Sequence, residues 1–223
     1  MSTNAISEKV IKELNALGGW YQKMDIHGVP TLKDGQPYSG NISSSKILKI
    51  VKSFMPSSLN GMRVLDLGSN AGFFSLNMSM MGASEVIGVE MNDVFFNQSL
   101  YLKKHFEELN GGELNVKFIQ KNISDLNFNE FGKFDYVLAL SIIYHIGKHK
   151  YGKYTEGALN EQIRVLKEIS HNTKYFIVGT RNGEKNNVNH YDKVFSELNF
   201  VRIKAIITGK KRSWALYSGG NDA

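Results

Sequence analysis

One stretch narrows the fold of this chain more than any other: VLDLGSNAGFFS, from Val64 to Ser75, a short apolar run that turns on glycine and restarts as a helix. A strand that passes through glycine into a helix is a βα unit, and its strand belongs in a parallel sheet covered by helices. The pattern then repeats. EVIGVE (85–90), LNVKFIQ (114–120), FDYVLALS (134–141) and KYFIVGT (174–180) read as further buried strands. Helices are expected at 72–81, at 93–109 with a stop at Gly111-Gly112, at about 155–170 and at 188–198. FVRIKAIIT (200–208) and RSWALYS (212–218), with GKK between them, are expected to form a terminal antiparallel hairpin. The fold class is therefore α/β: a Rossmann-like, doubly wound, mostly parallel sheet with a C-terminal antiparallel hairpin. Such sheets bind ligands outside the carboxyl ends of their strands, near the switch point.

The residues before Arg63 differ. Ile6, Val10, Leu14 and Leu17 fall at helical spacing over 5–17, and Gly18–Gly40 carries two of the three prolines, which argues against regular structure. A helix over Ser44–Phe54 should stop before Pro56. This divides the chain into a helical and irregular lid segment, 1–43, and a ligand-binding domain, 44–223. With 42% hydrophobic and 22% charged residues, disorder and fibrous classes are excluded. No cysteine is present, which excludes disulfides, thiolate metal sites and a cysteine nucleophile, and suits a reducing compartment. The N-terminus lacks a signal-peptide pattern and no apolar run approaches the ~20 residues of a membrane span, so a cytoplasmic protein with no membrane contact is expected. A net charge of +6 favours anionic partners, phosphates or RNA.

Gly68 and Gly72 allow positive φ and close packing in the first turn, and Asn70 tolerates the left-handed region where a third glycine often stands. Asp66 sets a carboxylate at the mouth of the loop. That charge suits an ammonium group and disfavours a pyrophosphate, and the spacing is not G-x-G-x-x-G, so a nicotinamide dinucleotide is disfavoured. Glu90 ends the second strand, where a carboxylate accepts hydrogen bonds from a ribose diol.

VLDLGSNAGFFS followed by VIGVE resembles the first two motifs of class I S-adenosylmethionine methyltransferases, over about residues 60–180. The resemblance implies that Asp66, Gly68 and Gly72 hold the methionine end of the cofactor, Glu90 its ribose, and Asn122 and Ile123 its adenine. Ser69, Asn70, Met91 and Leu140 complete the implied cofactor set. Asn70 departs from the commonest pattern, which has glycine there.

FDYVLALSIIYHIGKH carries the fourth strand into a polar loop. His145 is placed to act as a general base, and Tyr144 to meet a sulfonium with its ring or a substrate with its hydroxyl. His145 and His149 stand at metal-ligand spacing, with no acidic third ligand near them, and no metal is expected. Lys148, Lys150 and Lys153 with Tyr151 and Tyr154 suit a phosphorylated or nucleic-acid ligand, or form a solvated face. WYQKMDIHGVPT before the core, DLGSNAGFFS within it and FDYVLALSIIYHI after it together resemble the subgroup containing the tRNA wobble-uridine carboxymethyltransferase, whose donor is carboxy-S-adenosylmethionine. That resemblance implies that Tyr144, Lys23 (offset by one residue) and Arg212 hold the extra carboxylate. Tyr21 and His27 join Lys23 and Arg212 as substrate-facing residues.

The expected activity is transfer of a methyl group from S-adenosylmethionine to a small-molecule acceptor: a sugar, a phosphorylated metabolite or a natural-product intermediate. Two alternatives stand beside it: a tRNA- or RNA-modifying methyl- or carboxymethyltransferase, and a non-catalytic subunit that binds the cofactor.

Overall fold

Seven strands form the central sheet of the computed structural model, which describes residues 3–32, 43–152, 155–181, 188–208 and 212–219. The chain begins with α1 (Thr3–Ala16), the two-residue strands β1 (Asp25–Ile26) and β2 (Val29–Pro30), and α2 (Ser44–Lys52). Then come β3 (Arg63–Leu67), α3 (Phe73–Met80), β4 (Glu85–Glu90), α4 (Asp93–Asn110) and β5 (Val116–Gln120). The second half holds β6 (Phe134–Leu140), the single-turn α5 (Lys148–Tyr151), α6 (Glu156–Ser170), β7 (Thr173–Arg181), α7 (Val188–Glu197), β8 (Phe200–Thr208) and β9 (Arg212–Gly219).

The strand order is β5-β4-β3-β6-β7-β9-β8. The first five strands in that order are parallel, and β9 pairs antiparallel with both β7 and β8. The expected hairpin thus enters the sheet through its second strand, and β8 becomes the edge. Its connecting residues 209–211 lie outside the described residues.

Strand parity sorts the side chains. Val64 joins the layer under α1, α2, α3 and α4, whereas Leu65 and Leu67 join the layer under α6 and α7. Alternation therefore sends Asp66, between Leu65 and Leu67, towards α3. After β3 the chain winds outward through β4 and β5, then returns to place β6 on the other flank of β3. Neighbouring strand ends diverge at that reversal, and the crevice opens at the carboxyl ends of β3 and β6.

The stretch expected to be irregular contains one small regular element. β1 and β2 pair as a hairpin whose two turn residues, His27 and Gly28, have φ of +52° and +81°. Two successive positive φ values match the twist of a two-residue hairpin, and the Gly28 amide donates to Asp25 Oδ1 at 2.8 Å. Histidine at the first of these positions hid the turn from a reading based on glycine and asparagine. Residues 33–42 of that stretch, and Lys153 and Tyr154, lie outside the described residues. Among the described residues no helix is long and apolar enough to cross a membrane.

Candidate active site

The β3–α3 turn has the backbone its sequence requires. Gly68, Asn70 and Gly72 have φ of +67°, +53° and +83°, so three residues of one turn occupy the left-handed region. A Cβ on Gly68 would stand 2.6 Å from Ile142 Cδ1. The turn therefore packs against the segment after β6, and these two form opposite lips of one crevice. Gly72 answers a different need: a Cβ there would meet Phe118 Cζ at 2.5 Å. It lets α3 start tight against β5 and does not line the crevice.

The two acidic residues are held differently. Asp66 is 2% exposed and accepts a hydrogen bond from Ser75 Oγ at 2.6 Å. Burial pushes its carboxyl up to about 7, against the lowering effect of the Ser75 bonds and with a small contribution from Glu90. Glu90 accepts from the Asn70 amide through Oε2 (2.9 Å) and from the Asn92 amide through Oε1 (2.8 Å). Both oxygens are thus oriented by backbone, and each keeps a further lone pair for a ligand hydroxyl.

A cavity of about 550 Å³ occupies this crevice. Asp66, Gly68, Asn70, Glu90 and Met91 line it from β3, β4 and their turns, and Asn122 and Ile123 from the turn after β5. Leu140, Tyr144 and His145 line it from β6 and beyond, Tyr21 from the N-terminal segment and Arg212 from β9. Of the sixteen residues that the sequence assigns to the cofactor, to catalysis or to the substrate, twelve share one cavity; Ser69, Gly72, Lys23 and His27 do not line it. Ser69 is buried within the turn, its amide donating to Val89 O. Lys23 is exposed. His27 sits at the tip of the β1–β2 turn, its ring 5.8 Å from that of His105 on α4.

Second contacts hold the lining elements. Arg164 on α6 donates to Ser124 O, and Glu168 accepts from the Phe128 amide, so α6 anchors the turn that carries Asn122 and Ile123. Gly147 (φ +74°) lets the Tyr144–His145 loop approach α6, where a Cβ would stand 2.9 Å from Glu161 Cβ. Tyr144 is buried and its ring lies 4.3 Å from that of His145, which is exposed. On β9, the buried Ser213 shares a 2.6 Å hydroxyl bond with Thr180 of β7, which fixes the strand end beside Arg212.

Several lining residues escaped the sequence reading: Gln22, Phe95, Lys121, Ser141, Ile142 and Trp214. Lys121, Ser141 and Ile142 follow strand ends, where a stricter use of the carboxyl-end rule would find them. Ser141 has φ of +63°, a strained conformation for a residue other than glycine, and sits at the crevice lip. Trp214 reaches the cavity because its cross-strand neighbour is Gly179, where a Cβ would stand 3.2 Å from the indole. His149 also lines the cavity, and Lys150 lies over the Tyr151 ring at 4.9 Å. Among the described residues no group of three His, Asp or Glu side chains could hold a metal ion.

Residues 58–220 match the model of a family described as a methyltransferase domain. The chain belongs to this methyltransferase family.

Two further comparisons agree with that membership. The tRNA U34 carboxymethyltransferase of Alteromonas mediterranea is 33% identical over 89 residues, which span 40% of this chain and 26% of that protein. The match thus covers about a quarter of the length of that relative. In fold, the methyltransferase resembles the N-terminal domain of EvdMO1, solved with SAH bound, at a TM-score of 0.68 and 12% identity over 95% of this chain and 96% of that one. It also resembles the magnesium protoporphyrin IX methyltransferase of Synechocystis PCC 6803, solved with bound SAM, at a TM-score of 0.59 and 14% identity over 79% and 77% of the two chains. The strand order and the carboxylates of Asp66 on β3 and Glu90 on β4 accord with that membership.

Proposed function

We propose that this methyltransferase transfers a methyl group to a small-molecule acceptor that carries an anionic group, as a phosphorylated metabolite does. The observation that carries this reading is Arg212. Arg212 lines the cavity, and among the described residues no acidic side chain pairs with it. The carboxylates that line the cavity, Asp66 and Glu90, stand on β3 and β4, across the sheet from β9. A permanently charged arginine that faces the cavity and has no carboxylate partner is suited to a ligand anion.

The residues present fit the cofactor. Asp66 is a buried carboxyl placed to meet an ammonium, Glu90 offers oriented lone pairs to a ribose diol, and Asn122 and Ile123 offer an amide and an apolar wall to adenine. Bound S-adenosylmethionine supplies a methyl group already activated by its sulfonium. The protein then has only to bring the acceptor in line and exclude water. Tyr144 and Trp214 shape the acceptor side, Arg212 orients the anion, and His145 accepts the acceptor's proton where that acceptor is a hydroxyl. The N-terminal segment serves as the lid, with Tyr21 and Gln22 facing the ligand.

The RNA reading draws support from the carboxymethyltransferase relatives, which share only part of their length with this chain. For the carboxylated donor, Arg212 and Tyr144 would have to hold the extra carboxylate without Lys23, which stands outside the wall. Labelled methyl transfer to matched neutral and phosphorylated acceptors is the test. Arg212→Gln should raise KM for a phosphorylated acceptor about 10–100-fold with cofactor affinity unchanged. Loss of cofactor affinity instead, or a preference for neutral acceptors, would refute the assignment.

A further inference from the structure

The groups assigned above account for the ammonium, ribose and adenine of the cofactor, and leave the α-carboxylate of its methionine tail without a partner. We infer that Gln22 is that partner, donating from its amide nitrogen. This rests on the cofactor reading and deepens it.

Gln22 is 5% exposed and lines the cavity from the N-terminal segment. Its orientation is fixed from two sides. The Phe73 amide, first in α3, donates to Gln22 Oε1 at 3.1 Å. Thr31 Oγ1 donates to the Gln22 carbonyl at 2.7 Å and accepts from the Met24 amide at 2.9 Å. Because an N–H donor can be satisfied only by the amide oxygen, the amide nitrogen points the other way, with donors and no acceptor to offer.

The position matters as much as the chemistry. Gln22 is bonded to Phe73, and Asp66 to Ser75, so both are tied to the first turn of α3. An amino acid carries its ammonium and carboxylate on one carbon, and its two partners must stand close together. Gly72, the N-cap of α3, makes no side-chain cap bond, and Gln22 satisfies from outside the helix one of the first-turn amides that have no partner within it. The helix end adds a partial positive charge that favours an anion there. Gln98 Nε2 on α4 donates to Leu17 O and Gly19 O, so the segment carrying Gln22 is held to the domain just before the tryptophan, and Trp20 Nε1 donates to Leu14 O within the segment.

The test compares S-adenosylmethionine with its decarboxylated form, which keeps the ammonium and lacks the carboxylate, by calorimetry on the full chain. Gln22→Met should weaken S-adenosylmethionine about 10-fold and Gln22→Glu about 100-fold, with the decarboxylated ligand changed less than threefold in both. Glutamate can still accept from the Phe73 amide, so an unchanged Tm in Gln22→Glu separates binding from folding. Equal losses for the two ligands, or no loss for either, would overturn the role of Gln22. Failure of the wild-type chain to bind S-adenosylmethionine at all would overturn the cofactor reading with it.

Discussion

Replacing Asp66 by asparagine separates what this carboxyl costs the fold from what it does for the ligand. Burial raises it from its ordinary 3.8 to about 7, which corresponds to about 4 kcal/mol of lost folding free energy once pH exceeds 7. The sign follows from proton counting. Between about pH 4 and pH 7 the folded state keeps a proton that the unfolded chain has released, so stability falls as pH rises through that window. Below the window the group costs nothing, and above it the full cost applies. Asparagine keeps an oxygen to accept from Ser75 and never ionises. Asp66→Asn should therefore match the wild type near pH 4 and exceed it at pH 8 by roughly 2–4 kcal/mol, or roughly 5–15 °C in Tm for a chain of this size. Urea unfolding across pH reads the slope directly. The same substitution should weaken S-adenosylmethionine about 10–100-fold, because an amide cannot pair with an ammonium as a carboxylate does. Parallel pH slopes in the two proteins, or a variant less stable at pH 8, would refute the reasoning on the fold; unchanged affinity would refute the pairing.

Other substitutions probe the remaining contacts. Glu90→Gln leaves one oxygen to serve the Asn70 and Asn92 amides, and should cost roughly 1–3 kcal/mol in unfolding and at least about 10-fold in cofactor affinity by calorimetry. Gly68→Ala should destabilise by roughly 1–3 kcal/mol from backbone strain, plus its clash with Ile142; Gly68→Ala with Ile142→Ala should recover the clash and not the strain. His145→Ala should lower turnover about 100-fold or more and flatten the acid limb of its pH profile, with cofactor affinity within threefold. Turnover that is unchanged across pH would remove His145 from proton transfer.

The core of the site was legible because strand parity is strict. VLDL and EVIGVE alternate in a way that sends Asp66 towards α3 and ends at Glu90, and a turn carrying Gly68, Asn70 and Gly72 has little choice but positive φ. The glycines still carried two meanings that spacing does not separate: Gly68 shapes the crevice, and Gly72 makes room for Phe118. The N-terminal segment was not legible in the same way. Without a period, nothing in WYQKMDIHG says which side chain turns inward, and the structure chooses Gln22 over the neighbouring lysine through hydrogen bonds to Phe73 and Thr31. Trp214 depends on the absence of a side chain at Gly179 on another strand, a relation visible only once the register is known.

Titration of the purified chain with S-adenosylhomocysteine tests the cofactor site most directly, with Glu90→Ala measured alongside. Saturable one-to-one heat in the wild type, strongly weakened in the variant, is the expected result. Absence of binding to the wild type, or binding indifferent to the loss of the Glu90 carboxylate, would contradict it.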